Sequence, residues 1–494
     1  MAAKTKTEEE VTLKLLVNKD TNKVLFAEAE KEFVDALFSF LTFPLGTIAR
    51  LVEKESSMGS LTIGCLNSLY HCVEDLEAEA CLGTRISKEM LLQPANSSEC
   101  YCNTLKLNID DTEPTKYFVC TNFPTCEKNS LGIAINKYNC NKCGNPLNRS
   151  VLMKHFSNGF VKNGATFIIT DELSVMAISM DITNFCLFQN LGIKSASSVK
   201  EMSVSLTKEK AIDLLKCSLF SKTPLTDMFL GKNKVKMPSI ERSSFFSCDF
   251  ENNGENFEII VKLVTRKSDG KLLYAQGEHD FVNILLSFLT SPLGGIVGLL
   301  RGSSLGSIDA LHSSVADLDK TKYFVSEKAK NAIADPLLAQ QYYYLSKDIL
   351  SNTCTSILSN RYASYYCYYK PRDYNIEGIG RYQTFITNEP TSYLEYDCIL
   401  YPHTPNISNE GYVKGPRIYV ATDDLVIAPL SPITLLNLLN RFETSFEDLT
   451  EKVVTIGIKE CLSILKAALT STSALSNGLA HLLTEVKEEI CENN

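Results

Sequence analysis

The sequence predicts an α+β protein built from two homologous tandem domains, each with β-hairpins and packed helices, the first carrying a zinc-ribbon-like knuckle. Three observations lead there. Residues 14–52 recur without a gap at 262–300, short apolar runs flank turn residues in both copies, and a distinct cysteine cluster sits in the first copy only. In the recurring block Lys14 falls on Lys262, Phe33 on Phe281, Pro44 on Pro292 and Gly46 on Gly294. Further blocks follow in the same order. Val73–Glu77 matches Val315–Asp319, Lys88 and Pro94 match Lys330 and Pro336, 159–179 lies over 411–431, and Leu214–Lys216 meets Ile464–Lys466. Small slips in register between blocks are what insertions in surface loops produce.

The first unit is read as 10–230 and the second as 258–490. Between them, 231–257 loses periodicity and gathers Gly, Asn, Ser and charge, the composition of a linker. Two such copies are expected to pack about a pseudo-twofold axis, since a surface that once paired a homodimer is present in both.

Within each unit, LKLLVNK and KVLFAEA around Asp-Thr-Asn, and IIVKLVTRK and KLLYAQG around Ser-Asp-Gly, read as hairpins. A helix follows, because Phe33, Leu37, Phe40 and Leu41 recur on one helical face. Pro44 and Pro292 end it, as proline removes a helical hydrogen bond and clashes with the preceding turn. Ser291-Pro292 reads as the cap and first position of the next helix. A second hairpin is expected in FIIT and LSVMAI, turning at Asp171-Glu172, and each unit closes on amphipathic helices.

The chain has 494 residues, 44% of them hydrophobic and 22% charged, enough for two large cores. A net charge of −9 argues against general nucleic-acid binding, which needs clustered Lys and Arg to displace counterions. Seventeen cysteines and the polar start MAAKTKTEEE point to reduced thiols and an intracellular location, cytoplasmic or nuclear. Phe281 to Leu300 has no charged residue over twenty positions, the length a bilayer requires. Its counterpart at 33–52 carries Asp35 and Arg50, however, and no basic cluster flanks it, so no transmembrane span is expected.

The strongest chemical signal is Cys120-x5-Cys126, followed by Cys140-x2-Cys143-Gly144. Four thiolates in two pairs can close a tetrahedral zinc site, and a glycine after the second pair tolerates the positive φ of a knuckle. Cys100 and Cys102 lie near in sequence as spare ligands. In the second copy Cys367 aligns with Cys120, but only Cys398 and His403 follow, too irregular for a site. The tyrosines from Tyr362 to Tyr374 read as packing. Asp171-Glu172 and Asp423-Asp424 place paired carboxylates at equivalent turns, where polar residues are favoured without chemistry. The six histidines are scattered, and no metallohydrolase, nucleophile-elbow or phosphate-loop motif is present.

The block KLLVNKDTNKVLFAEAEKEFVDALFSFLTFPLGTIARL, the Cys-x-x-Cys-Gly knuckle and the hairpins FIITDELSVMA and IYVATDDLVIAP resemble the plant family catalogued as domain of unknown function 674. The likeness extends over nearly the whole chain. It implies the tandem unit and cysteines retained in the first copy, supporting zinc ligation by Cys120, Cys126, Cys140 and Cys143, and it implies no reaction. The leading functional expectation is a non-enzymatic interaction or scaffold protein with one structural zinc and a protein partner. The alternatives are an enzyme with its site between the units, Asp171, Asp423 and the Tyr362–Tyr374 segment being first suspects, and a peripheral membrane protein using Phe281 to Leu300.

Overall fold

The computed structural model describes residues 10–54, 56–77, 81–82, 85–122, 130–133, 139–140, 143–154, 158–178, 188–189, 193, 195–231, 258–300, 305–339, 342, 365–371, 382–387, 398–402 and 411–483. The segment read as a linker falls, from residue 232 on, outside the described residues.

The first half opens with strands β1 (Val11–Asn18) and β2 (Lys23–Ala29). Val11, Leu13, Leu15 and Val17 alternate with more exposed neighbours, the two-residue period of a strand with one buried face. Helices α1 (Lys31–Thr42), α2 (Leu45–Glu53), α3 (Leu66–Asp75), α4 (Arg85–Leu92) and α5 (Glu99–Cys102) follow. Next come β3 (Tyr117–Val119), β4 (Ser130–Ile133), β5 (Arg149–Met153), β6 (Phe167–Thr170), β7 (Val175–Ala177) and β8 (Val199–Leu206), then α6 (Lys208–Phe220) and α7 (Pro224–Phe229).

The second half contains β9 (Ile259–Arg266), β10 (Leu272–Glu278), α8 (His279–Ser287), α9 (Leu293–Leu300), α10 (Ile308–Asp317) and α11 (Glu327–Ala334). It continues with β11 (Tyr365–Pro371), β12 (Tyr382–Thr387), β13 (Cys398–Pro402), β14 (Ile418–Thr422) and β15 (Ile427–Pro429). The last elements are α12 (Pro432–Arg441), β16 (Leu449–Ile456), α13 (Ile458–Thr470) and α14 (Ala474–Gly478).

Three sheets organise these elements. One has the order β7-β6-β2-β1-β8, a second the order β15-β14-β10-β9-β16, and a closed six-stranded barrel runs β11-β12-β5-β3-β4-β13. The barrel draws three strands from each half. Its two seams between halves are both parallel, Phe385 opposite Leu152 and Tyr401 opposite Ser130, whereas the ladders inside each half are antiparallel. Closing the ring leaves none of these six strands with an open edge.

One apolar cluster runs through both halves, from Leu13 and Phe38 to Phe324 and Leu465. The contacts between the halves come in matching pairs. Leu45 N–H donates to Ser291 O and Leu293 N–H to Phe43 O, both at 2.9 Å, and Pro44 bridges Pro292. Leu82 bridges Val413 while Val161 bridges Phe324. Cys65 N–H donates to Ala468 O and Ser307 N–H to Ser218 O, both at 2.8 Å.

The cap reading at Ser291 needs correction. Its Oγ donates back to Ser287 O at 2.9 Å, and Pro292 rather than Ser291 stands immediately before α9. The proline backbone is taken into the bridge to Pro44, which fixes where both helices begin.

Helix α1 is buried on nearly every side, Lys31 and Asp35 included. Asp35 Oδ1 accepts the N–H groups of Phe160 and Val161, both at 2.9 Å, and Lys31 Nζ donates to Asp35 Oδ2 and Asn158 O. In α8, Asn283 Oδ1 accepts from Tyr412 and Val413 at 2.8 and 3.1 Å. Gly159 and Gly411 precede these turns with φ of 68° and 69°, and a Cβ at either would collide with the Asp35 or Asn283 side chain.

Candidate metal centre

Strand β3 runs directly into Cys120, at the end of the barrel where β5 begins, since Val119 lies opposite Arg149. The segment carrying the second cysteine pair folds back there, with Asn139 bridging Pro146. Cys140 N–H donates to Asn145 O at 2.7 Å and Gly144 N–H to Cys140 O at 2.9 Å, closing the knuckle. Gly144 has a φ of 70° with open space around its missing Cβ, so backbone conformation and not crowding calls for glycine. Thr121 fastens the knuckle to the strand, its N–H and Oγ–H both reaching Pro146 O, at 3.3 and 2.9 Å.

This arrangement brings Cys120, Cys140 and Cys143 together, their sulfurs all within 4.8 Å of one another. The Cys120 and Cys143 sulfurs are 3.3 Å apart. Tetrahedral zinc with bonds of about 2.3 Å holds its sulfurs about 3.8 Å apart, whereas a disulfide needs about 2.05 Å. The donor set therefore suits a soft, tetrahedral ion. Cys120 and Cys140 are buried and Cys143 is exposed. Asn145 Nδ2 directs its hydrogen at Cys143 Sγ from 3.5 Å, the kind of outer contact that steadies a ligating sulfur. Burial, and then the neighbouring thiols, push the Cys120 thiol up from its ordinary value, so metal binding there would release protons. Cys126, the fourth residue of the sequence pattern, lies outside the described residues.

Cys100 and Cys102 do not join this group. Both are buried in α5, where Cys102 Sγ meets Thr42 Oγ1 and Asn96 Nδ2, each at 3.5 Å. Complete burial pushes its thiol far above the ordinary range. It is a packed core cysteine.

Asp171, Asp423 and Asp424 are each engaged by partners of their own. Asp171 takes the N–H and hydroxyl of Thr226 at 2.9 and 2.6 Å, and Asp423 takes those of Ser476 at 2.7 and 2.8 Å. Thr226 and Ser476 are each the third residue of a short helix, α7 and α14. Each carboxylate thus satisfies a helix-start amide from another element, as a cap residue does from its own. Burial nevertheless pushes both carboxyls above their ordinary value, against these hydrogen bonds. Asp424 turns to Thr422 Oγ1 and to Arg441, at 3.4 Å from the latter.

Of the tyrosine run, Tyr365, Tyr366, Tyr368 and Tyr369 lie in β11, and Tyr362 and Tyr374 lie outside the described residues. His71 sits between Glu53 and Glu74 at 2.6 and 2.7 Å, His312 reaches Ala334 O at 2.8 Å, and His481 faces Glu460 at 3.3 Å. His279 lies 3.4 Å from Asp280, while His155 and His403 are outside the described residues. The Phe281–Leu300 stretch is broken into α8, a 3-10 turn at Phe288–Thr290 and α9, mostly buried. Among the described residues no helix is long and apolar enough to cross a membrane.

What the sequence did not reveal is the buried Lys31–Asp35 pair and its counterpart Asn283. A Lys-x3-Asp spacing inside an otherwise apolar helix was the available signal, and Asn283 falls on Asp35 in the recurring block.

Neither a curated protein nor a solved structure matches the chain. A family model described as "Protein of unknown function (DUF674)" matches residues 7–459, which covers the cysteine cluster, the barrel and both five-stranded sheets up to the start of α13. The chain belongs to that family.

Proposed function

We propose that this protein is a non-enzymatic interaction scaffold, made by duplication of one unit and carrying one structural zinc in a zinc-ribbon-like knuckle of the first copy. The convergence of the Cys120, Cys140 and Cys143 sulfurs at a glycine-turned knuckle carries the reading. The sequence pattern offers Cys126 as the fourth ligand. Zinc would tie the end of β3 to the knuckle around Gly144. The role of the residues is to hold that loop in one shape at the end of the barrel, where it can meet a protein partner. Matching sheet orders and paired contacts between the halves support the duplication and a twofold packing of the copies. The commitment of Asp171 and Asp423 to helix starts weighs against catalysis at those turns.

Elemental analysis of protein purified under reducing conditions tests the metal, with an outcome of about one zinc per chain. Cys140→Ser with Cys143→Ser abolishes it, and a partner captured by intact protein is lost in the same variant. Metal-free intact protein, or partner capture indifferent to the cysteines, overturns the reading.

A further inference from the structure

The ladders of the barrel correspond residue by residue between the halves. Val119 pairs with Leu131 and with Arg149, and Cys367 pairs with Ile386 and with Cys398. The seams agree, Leu152 opposite Phe385 matching Tyr401 opposite Ser130. By register Cys367 therefore stands where Val119 stands, and Cys398 where Arg149 stands. The sequence alignment of Cys367 with Cys120 is off by one residue, and in a strand one residue is a change of face. The second-half cysteines are not remnants of the metal set. They form a different pair, placed directly opposite each other on neighbouring antiparallel strands.

Directly opposed residues in an antiparallel ladder have Cα atoms about 4.5 or 5.5 Å apart, depending on the hydrogen-bonding type of the site. Both values fall within the roughly 4.4–6.8 Å that a disulfide spans. The ladder register thus places the two backbones at a separation that a disulfide can span.

We propose that Cys367 and Cys398 are a reversible cross-strand disulfide site, oxidised by small disulfides of the glutathione class. One cysteine thiolate attacks a sulfur of the small disulfide, forming a mixed disulfide and expelling a thiolate. The second cysteine thiolate then attacks the protein sulfur of that mixed disulfide, forming the Cys367–Cys398 bond and expelling the second small thiolate. The pair gives up two electrons and two protons, and the small disulfide becomes two thiols. The bond fastens β11 to β13, and β13 forms one of the two seams that join the halves. Oxidation thereby secures barrel closure on the side of the second half.

The test uses the full chain in glutathione buffers of rising oxidised fraction, quenched with acid, unfolded, alkylated and digested without reductant. Mass analysis is expected to find a peptide pair joined through Cys367 and Cys398, lighter by two hydrogens, that returns to free thiols in reducing buffer. Burial pushes the thiols of Cys65, Cys217 and Cys461 up to about 12, so these are expected to stay alkylatable throughout. Cys398→Ser abolishes the joined peptide and leaves Cys367 alkylated or bound to glutathione. The proposal is overturned if intact protein shows both cysteines separately alkylated at every ratio, or the link only after urea treatment. Protection of both by a metal that a chelator removes also overturns it. The decisive reading comes from the unaltered chain, so a variant that fails to fold does not blunt the test.

Discussion

The Lys31–Asp35 pair offers a measurable test of what holds α1 in place. Lys31 and Asp35 are only 5% and 3% exposed, so each charge depends on the other and on backbone dipoles for its solvation. Asp35→Asn keeps an oxygen for the amides of Phe160 and Val161, as Asn283 does for Tyr412 and Val413, and removes only the countercharge of Lys31. Breaking one side of a buried pair costs about 3–5 kcal/mol, and the carbonyl of Asn158 that also faces Lys31 places this case near 3 kcal/mol. Lys31→Met costs a similar amount at neutral pH, for it strands the carboxylate. Burial already pushes the Asp35 carboxyl up, so in Lys31→Met the folded state holds a proton more tightly than the unfolded chain does. The stability of that variant accordingly falls as pH rises from about 4 through the folded value. Combining the two substitutions removes both stranded charges while keeping the amide acceptor. The double variant should be no worse than either single one, a coupling of about 3 kcal/mol. Urea midpoints at unchanged m-value read these differences. If the double variant loses the sum of the two single losses, the pair is not coupled and the argument fails.

Other consequences are smaller. Asp171→Ala and Asp423→Ala each remove about 1–2 kcal/mol from the local helix start, so the Thr226 or Ser476 amide should exchange with solvent about tenfold faster, while the hairpin of the other half, β9–β10 or β1–β2 respectively, keeps its protection. His71 is raised above its ordinary value, first by the hydrogen bond to Glu74 and, against a burial penalty, by Glu53. Its contribution is present below about pH 6.5 and lost as pH rises through the folded value, so His71→Gln should flatten the change of Tm across that window; an unchanged slope rules the clamp out.

The hairpins, α1 and the proline break were readable because each follows a short-range rule: period two, period 3.6 and the loss of a helical donor. Strand β8 was not, since VKEMSVSL at a sheet edge buries little besides Leu206, and burial is what writes alternation into a sequence. The barrel escaped for a different reason. Its strands close a ring between distant halves, and nothing local in Tyr117–Val119 or Ser130–Ile133 says that the ladders will meet β13 and β12 through their neighbours. The cysteine knuckle was legible from spacing and its glycine, but Cys100 and Cys102 look like ligands on proximity alone until α5 turns them into the core. Cys367 misled because identity of residue type outweighed register. Asp171 and Asp423 were correctly placed at turns, yet their partners lie 55 and 53 residues away in sequence, beyond any local rule.

The register of the barrel also bears on what a metal at the cysteine cluster would hold up. Val119 is the last residue of the β3 ladder, and Cys120 follows it, so the sulfur cluster sits past the strand pairing and not within it. The second half builds its equivalent ladders with Cys367 at the Val119 position and pairs them to the first half through the same two parallel seams. The ladders of the second half thus form without the sulfurs of Cys120, Cys140 and Cys143. If the proposed zinc is bound, removing it with a chelator under reducing conditions should therefore release amide protection around Thr121, Cys140 and Gly144, whose bonds define the knuckle, and leave the β1–β2 and β9–β10 ladders protected. Hydrogen exchange followed by mass analysis distinguishes the cases. Were both five-stranded sheets to lose protection together with the knuckle, the metal would be a keystone of the whole fold, and the assignment of the cluster to a local loop at the barrel end would be wrong.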